Sequence, residues 1–133
     1  MLIQTRKYND LDISFSKNLV TKDVGTKSYQ DSVKQSIKTL VMLDRYDKPF
    51  HPEIHCSVRS YLFELASPIT ATIISQAIQD CINAYEPRVQ LNTVDVVALD
   101  DLNTYQVTLL YTILNDPSPV NTQELEFLLE RIR

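Results

Sequence analysis

The stretch SPITATIISQAIQDCINAYEPRVQL, residues 67–91, decides how this chain is read. Ser67-Pro68 is a helix start. The serine oxygen can accept from a free backbone N–H of the first turn, and proline at the first helical position loses no hydrogen bond. From there Ala71, Ile74, Ala77, Ile78, Cys81, Ile82 and Tyr85 recur at helical spacing and form one apolar stripe. Pro87 forces the residues before it out of helical geometry, so the helix is predicted to end at Tyr85-Glu86. Val89 and Leu91 then alternate with polar residues, and a strand begins. The junction between these two elements holds an acid, a proline and a base: Glu86, Pro87 and Arg88. A breaker alone would need only the proline.

Downstream the strand pattern continues. Val94, Val96 and Ala98 alternate in the opposite phase to Val89 and Leu91, so the slip at Asn92-Thr93 predicts a β-bulge. Asp100 to Asn103 is turn material. Tyr105, Val107, Leu109, Tyr111 and Ile113 then alternate with Thr104, Gln106, Thr108 and Thr112, which completes a hairpin of half-buried strands. The end, TQELEFLLERIR, fits two periods. Leu125, Leu128, Leu129 and Ile132 suit a helix, Leu125, Phe127 and Leu129 suit a strand, and the pattern leans slightly to helix.

Upstream, Tyr29, Val33, Ile37, Leu40 and Val41 lie on one helical face. Ser28 and Asp31 in front of it resemble a capping box with Asp in place of Glu. Residues 44–56, DRYDKPFHPEIHC, read as a loop, followed by a short helix with Val58, Leu62 and Leu65 on one side. Residues 1–27 show no sustained period and read as an arm, leaving residues 28–133 as a single domain. The predicted fold class is α+β: two to three helices packed on one face of a small antiparallel sheet, with an extended N-terminal arm.

Composition bounds the function. The 133 residues make one domain, with 44% apolar and 23% charged residues. No stretch approaches the length of a membrane span, and MLIQTRKYND has no apolar core followed by a cleavage site. A protein made in, and staying in, a reducing cytoplasm is expected. A net charge of −4 without a basic run argues against nucleic acid. The single glycine, Gly25, excludes phosphate-cradling loops and a Gly-x-Ser-x-Gly nucleophile turn.

Several clusters invite chemistry, and each has a blander explanation. His51, His55, Cys56 and Cys81 are ligand types for zinc, but their spacing fits no ligand pattern and Cys81 sits on an apolar helix stripe. Loop histidines and buried thiols are the expectation, with no metal and no cofactor. Glu53, Glu64 and Glu86 could supply the carboxyl pair of a glycosidase, but solvated or ion-paired acids are the default. Seven tyrosines with no tryptophan, among them Tyr8, Tyr46 and Tyr61, suit either an interface or ordinary half-burial. Glu86 and Arg88 are either a local ion pair across the turn or a rigid two-charge plug for a partner.

The ordered motifs go further than the periods. YNDLD near the start, then TKD, a helix, KPFHPEIHC, LFE, an SP-opened helix, YEPRV and a hairpin ending in NDP resemble the small baseplate wedge protein family of contractile phage tails. That family includes the sheath initiator and has relatives in type VI secretion baseplates. The resemblance covers nearly the whole chain. Its anchors are Lys48-Pro49-Phe50 with Pro52-Glu53, and Glu86-Pro87-Arg88.

The resemblance implies a structural, non-enzymatic protein of the virion tail baseplate. It implies docking on the core bundle of other wedge proteins through Glu86, Pro87 and Arg88, within a six-fold hetero-oligomer. It also implies strand edges offered to the first ring of tail sheath protein, which makes Leu125–Ile132 a strand, with Leu125, Phe127 and Leu129 as its sheath-contacting residues. Members have also carried the name lysozyme, so a peptidoglycan hydrolase is the alternative. A cytosolic binding domain sharing the fold is a third reading. The family often has glycine where this chain has His55, which leaves the loop path there open.

Overall fold

A computed structural model describes residues 8–99, 101–114 and 122–132. Eight elements follow in order: β1 (Asn9–Leu11), β2 (Thr26–Ser28), α1 (Gln30–Met42), α2 (Val58–Tyr61), α3 (Pro68–Tyr85), β3 (Val89–Leu99), β4 (Thr104–Ile113) and β5 (Thr122–Glu130). The α+β class is as the pattern predicts, with the helices on one face of an antiparallel sheet ordered β3-β4-β5.

Helix α3 starts and stops where its sequence dictates. The Ser67 hydroxyl accepts from the Thr70 N–H at 3.1 Å, and Pro68 opens the helix. Ala71, Ile74, Ile78, Cys81 and Ile82 are buried, and the helix ends at Tyr85 before Pro87. The bulge falls at the predicted slip, between Leu91 and Thr93. It restores the phase, so Val89, Leu91, Val94, Val96 and Ala98 pair with Ile113, Tyr111, Leu109, Val107 and Tyr105 on one face. These side chains meet Val33, Ile37, Leu40 and Val41 of α1 and the α3 stripe in one core. Each fully buried aliphatic side chain there contributes about 1.5–3 kcal/mol.

The C-terminal segment is strand, as the family resemblance implies and against the lean of the pattern. Leu125, Phe127 and Leu129 lie opposite Leu109, Val107 and Tyr105 and are buried, whereas Leu128 is 53% exposed. A helix would have needed Leu128 inside. The apolar row already laid down by β4 decides between two periods that the local sequence leaves nearly balanced.

Two local readings are corrected. Ser28 does not cap α1, because it is held in β2 opposite Asn9. Tyr29 takes the N-cap position with φ 57 and no side-chain cap bond, and its N–H donates to the Tyr8 carbonyl at 2.6 Å. Leu65 does not join Val58 and Leu62. Helix α2 is four residues long, and Leu65 beyond it is 73% exposed. The arm folds back on itself, with turns and bends between two short strands. Strands β1 and β2 pair antiparallel, and a bridge joins Lys17 to Val24 between them.

Gly25 serves this fold-back. A Cβ there would stand 3.2 Å from the Ser16 carbonyl oxygen, to which the Gly25 N–H donates at 2.8 Å. Gly25 has no positive φ; left-handed backbone among the described residues is carried by residues with side chains, including Tyr46 and Phe50 in the loop. His55 is not one of them, so the missing family glycine leaves no strained angle at that residue. Residues 1–7 of the arm, Asp100 of the predicted turn and the NDP motif at 115–117 lie outside the described residues. No helix of the described residues is long and apolar enough to cross a membrane.

Candidate docking site

The Glu86-Pro87-Arg88 junction is wired into the protein before it faces outward. Glu86 closes α3, its N–H donating to the Ile82 carbonyl at 2.9 Å, and its residue is only 3% exposed. Arg88 holds it with a fork: Nε to Oε1 at 2.6 Å and one terminal nitrogen to Oε2 at 2.9 Å. Such bidentate pairs combine charge with fixed geometry. The Ser36 hydroxyl of α1 donates to Oε2 at 2.6 Å. On the far side of the guanidinium, the Asp10 carboxylate of β1 lies 3.8 Å away and accepts from the Ser32 hydroxyl at 2.5 Å. The Tyr8 ring sits against the same guanidinium at 5.2 Å and stacks on Tyr29 with centroids 6.3 Å apart.

Four segments are therefore tied at one knot: the arm, α1, the end of α3 and the start of β3. The Arg88 carbonyl also accepts from the Leu114 N–H at 2.8 Å, which joins the knot to the end of the hairpin. Burial pushes the Glu86 carboxyl up, but Arg88 and then Ser36 pull it below the usual carboxylate range. The Glu86 hydrogen bond holds the Arg88 guanidinium charged more firmly than usual. The ion-pair reading of the triplet is thus a geometric fact, and it is far from a loose surface pair. What faces solvent is exposed Pro87 and the outer part of the Arg88 side chain, which is 22% accessible.

The second anchor lies beside the first. The Tyr85 hydroxyl donates to the Glu53 carbonyl at 2.7 Å, tying the loop to the last residue of α3. Lys48, Ile54, Tyr85, Asp10 and Ser36 contribute to one cavity of about 400 Å³. Phe50 of the loop projects almost wholly into solvent, and Arg45 lies over the exposed Tyr46 ring. Tyr61 is half-buried against the core.

The other candidate groups separate. His51 pairs with the Glu53 carboxylate at 2.9 Å and His55 faces the Glu53 carbonyl at 3.2 Å. Cys56 and Cys81 are buried, free thiols that donate to the Ala77 and His55 carbonyls. Among the described residues no three His, Cys, Asp or Glu side chains are grouped to hold a metal. Glu64 is exposed after α2. The Glu53 carboxyl is held below the usual range by its own backbone N–H and by His51. A glycosidase needs a general acid shifted upward, and Glu53 and Glu86 are both shifted down.

The β5 residues divide in the same way. Leu125, Phe127 and Leu129 point into the core, so their side chains are spent on packing. The strand offers its backbone edge and its outward side chains instead. Sequence reasoning missed Asp10, Ser32 and Ser36. The available signal was two serines four apart on α1, Ser32 on its buried face and Ser36 beside it, because a serine that is buried needs a partner.

The family described as baseplate wedge protein gp25 matches residues 27–118. Baseplate wedge protein gp25 of Enterobacteria phage T4 is 27% identical over 119 residues, spanning 90% of this chain and 89% of that one. Among solved structures, a candidate tail lysozyme from Geobacter sulfurreducens shares the fold with a TM-score of 0.69 at 14% identity, covering 78% of this chain and 92% of that one. A chain of the anti-feeding prophage baseplate gives 0.60 at 14% identity over 96% and 88%. A chain of the post-contraction pyocin R2 baseplate gives 0.55 at 15% identity over 92% and 98%.

Proposed function

The chain belongs to the baseplate wedge protein family, and on that premise we propose that it docks on the wedge core through the Glu86-Pro87-Arg88 junction and initiates sheath assembly. It is a structural protein of the contractile tail baseplate. Its neighbours are other baseplate proteins, in a six-fold hetero-oligomer, and the sheath protein is its second partner. The observation that carries the docking reading is the knot. The junction's two charges hold each other and are held by Ser36 and Asp10, so Pro87 between them and the outer edge of Arg88 are presented in one geometry. A preorganised surface loses little entropy on binding, which favours register over raw affinity. The sheath reading rests on β5, an edge strand able to accept a strand from a partner.

The hydrolase reading has less support, since neither Glu53 nor Glu86 is raised toward a general acid. Cell-wall turbidity with the purified protein tests it, and no clearing is expected.

The docking test places a charge on the exposed apex without touching the ion pair. Pro87→Glu is expected to keep its circular dichroism spectrum and to yield no sheathed tails by negative-stain microscopy. Normal numbers of sheathed tails from a folded variant would remove the docking role and leave the triplet as an internal tie.

A further inference from the structure

We propose that the strand received by β5 alternates apolar residues with lysine or arginine; this rests on the strand-edge reading above and names the chemistry of its partner. Among the described residues β5 has β4 as its one strand neighbour, over nine residues. A long bare edge invites any strand, and proteins guard such edges with charge. Here the guard has one sign. Glu124, Glu126 and Glu130 stand exposed on the outward face with Thr122 and Leu128, and the Gln106 amide donates to Glu126.

The core side of the same edge is different. A groove of about 790 Å³ runs between β5, α1 and the arm; Ile13, Met42, Leu43 and Leu125 line it, and its charged lining, three lysines and three carboxylates with Glu126 among them, balances in sign and selects no charge. An added strand continues the pleat, so its side chains alternate between that groove and the glutamate face. Apolar residues suit the first set. Basic residues suit the second, because opposite charges in cross-strand positions stabilise a ladder and like charges oppose it. The same rule argues against a second copy of this chain, since pairing β5 with β5 would bring two glutamate rows together.

The test uses the full chain labelled with ¹⁵N and two nine-residue peptides, one alternating valine with lysine, the other valine with glutamate. The β5 amides are followed during titration. The valine–lysine peptide is expected to bind about tenfold more tightly, and Glu124→Lys with Glu126→Lys and Glu130→Lys should reverse the preference. Methylating alternate backbone nitrogens of that peptide should abolish binding, which simple attraction to an acidic chain would not require. Equal shifts from both peptides would overturn the charge selection while leaving β5 as an edge that accepts strands. No shift at β5 from either peptide would overturn this proposal and the strand-edge reading together, without touching the Pro87 docking test.

Discussion

The knot at Glu86 and the edge at β5 are both acidic, and they use their acids in opposite ways. At the knot, Glu86 and Asp10 sit around one guanidinium, with Ser36 and Ser32 supplying further hydrogen bonds. Glu86 is buried with both oxygens engaged, and its effect is to fix shape, while Asp10 beside it keeps 44% of its side chain accessible. At the edge, Glu124 and Glu130 are exposed, and among the described residues β5 pairs with a strand on one side. Those carboxylates hold little of the fold, and their effect falls on whatever strand approaches. Burial makes the difference: a desolvated charge must be matched within the molecule, whereas a solvated one is free to select.

The largest expected effect breaks the knot. Glu86→Ala leaves Arg88 and Ser36 without their shared acceptor, and should cost about 3 kcal/mol, the low end for a broken buried pair because Arg88 is partly solvated. Urea unfolding measures it, and hydrogen exchange at Asn9–Leu11 should quicken as the arm loosens. A loss below about 1 kcal/mol would place the knot with ordinary surface pairs and erase the contrast.

Acid sharpens the comparison next. The folded Glu86 carboxyl titrates below its ordinary value of 4.5. Its contribution is therefore fully present above that value and lost as pH falls through the lower folded value. Denaturation at a series of acid pH values should show a steeper loss for the native chain than for Glu86→Gln. Matching slopes would mean that the pair adds nothing to stability.

The smallest effect belongs to the edge. Glu124→Ala should change stability by less than about 0.5 kcal/mol, as for an exposed residue outside any network. Thermal unfolding checks it. A larger loss would show that the outward acids hold the sheet and are not reserved for a partner.

Much of the fold was legible because its signals are local. Ser67-Pro68 marks a helix start, Pro87 marks its end, and the phase slip at Asn92-Thr93 marks the bulge, each within a few residues. The failures have a common cause. Ser28 looked like a cap until pairing with Asn9 claimed it, and the slight helical lean of residues 122–133 gave way to the row of β4 side chains. The candidate site was half legible. Its three residues stand together in the chain, but Ser36 is 50 positions from Glu86, and Asp10 comes from an arm with no period of its own.

The sequence by itself determined the α3 helix, the β3–β4 hairpin, the α+β class and the motif order that leads to the baseplate wedge family. Periodicity and turn chemistry act between near neighbours, so a single chain displays them. The closed core alone settles that Glu86 faces inward and that the arm is bound to α1 through Asp10 and Ser32. Those outcomes depend on which distant groups meet once the core closes. Desolvation then sets the role of each charge, and no spacing along the chain records it.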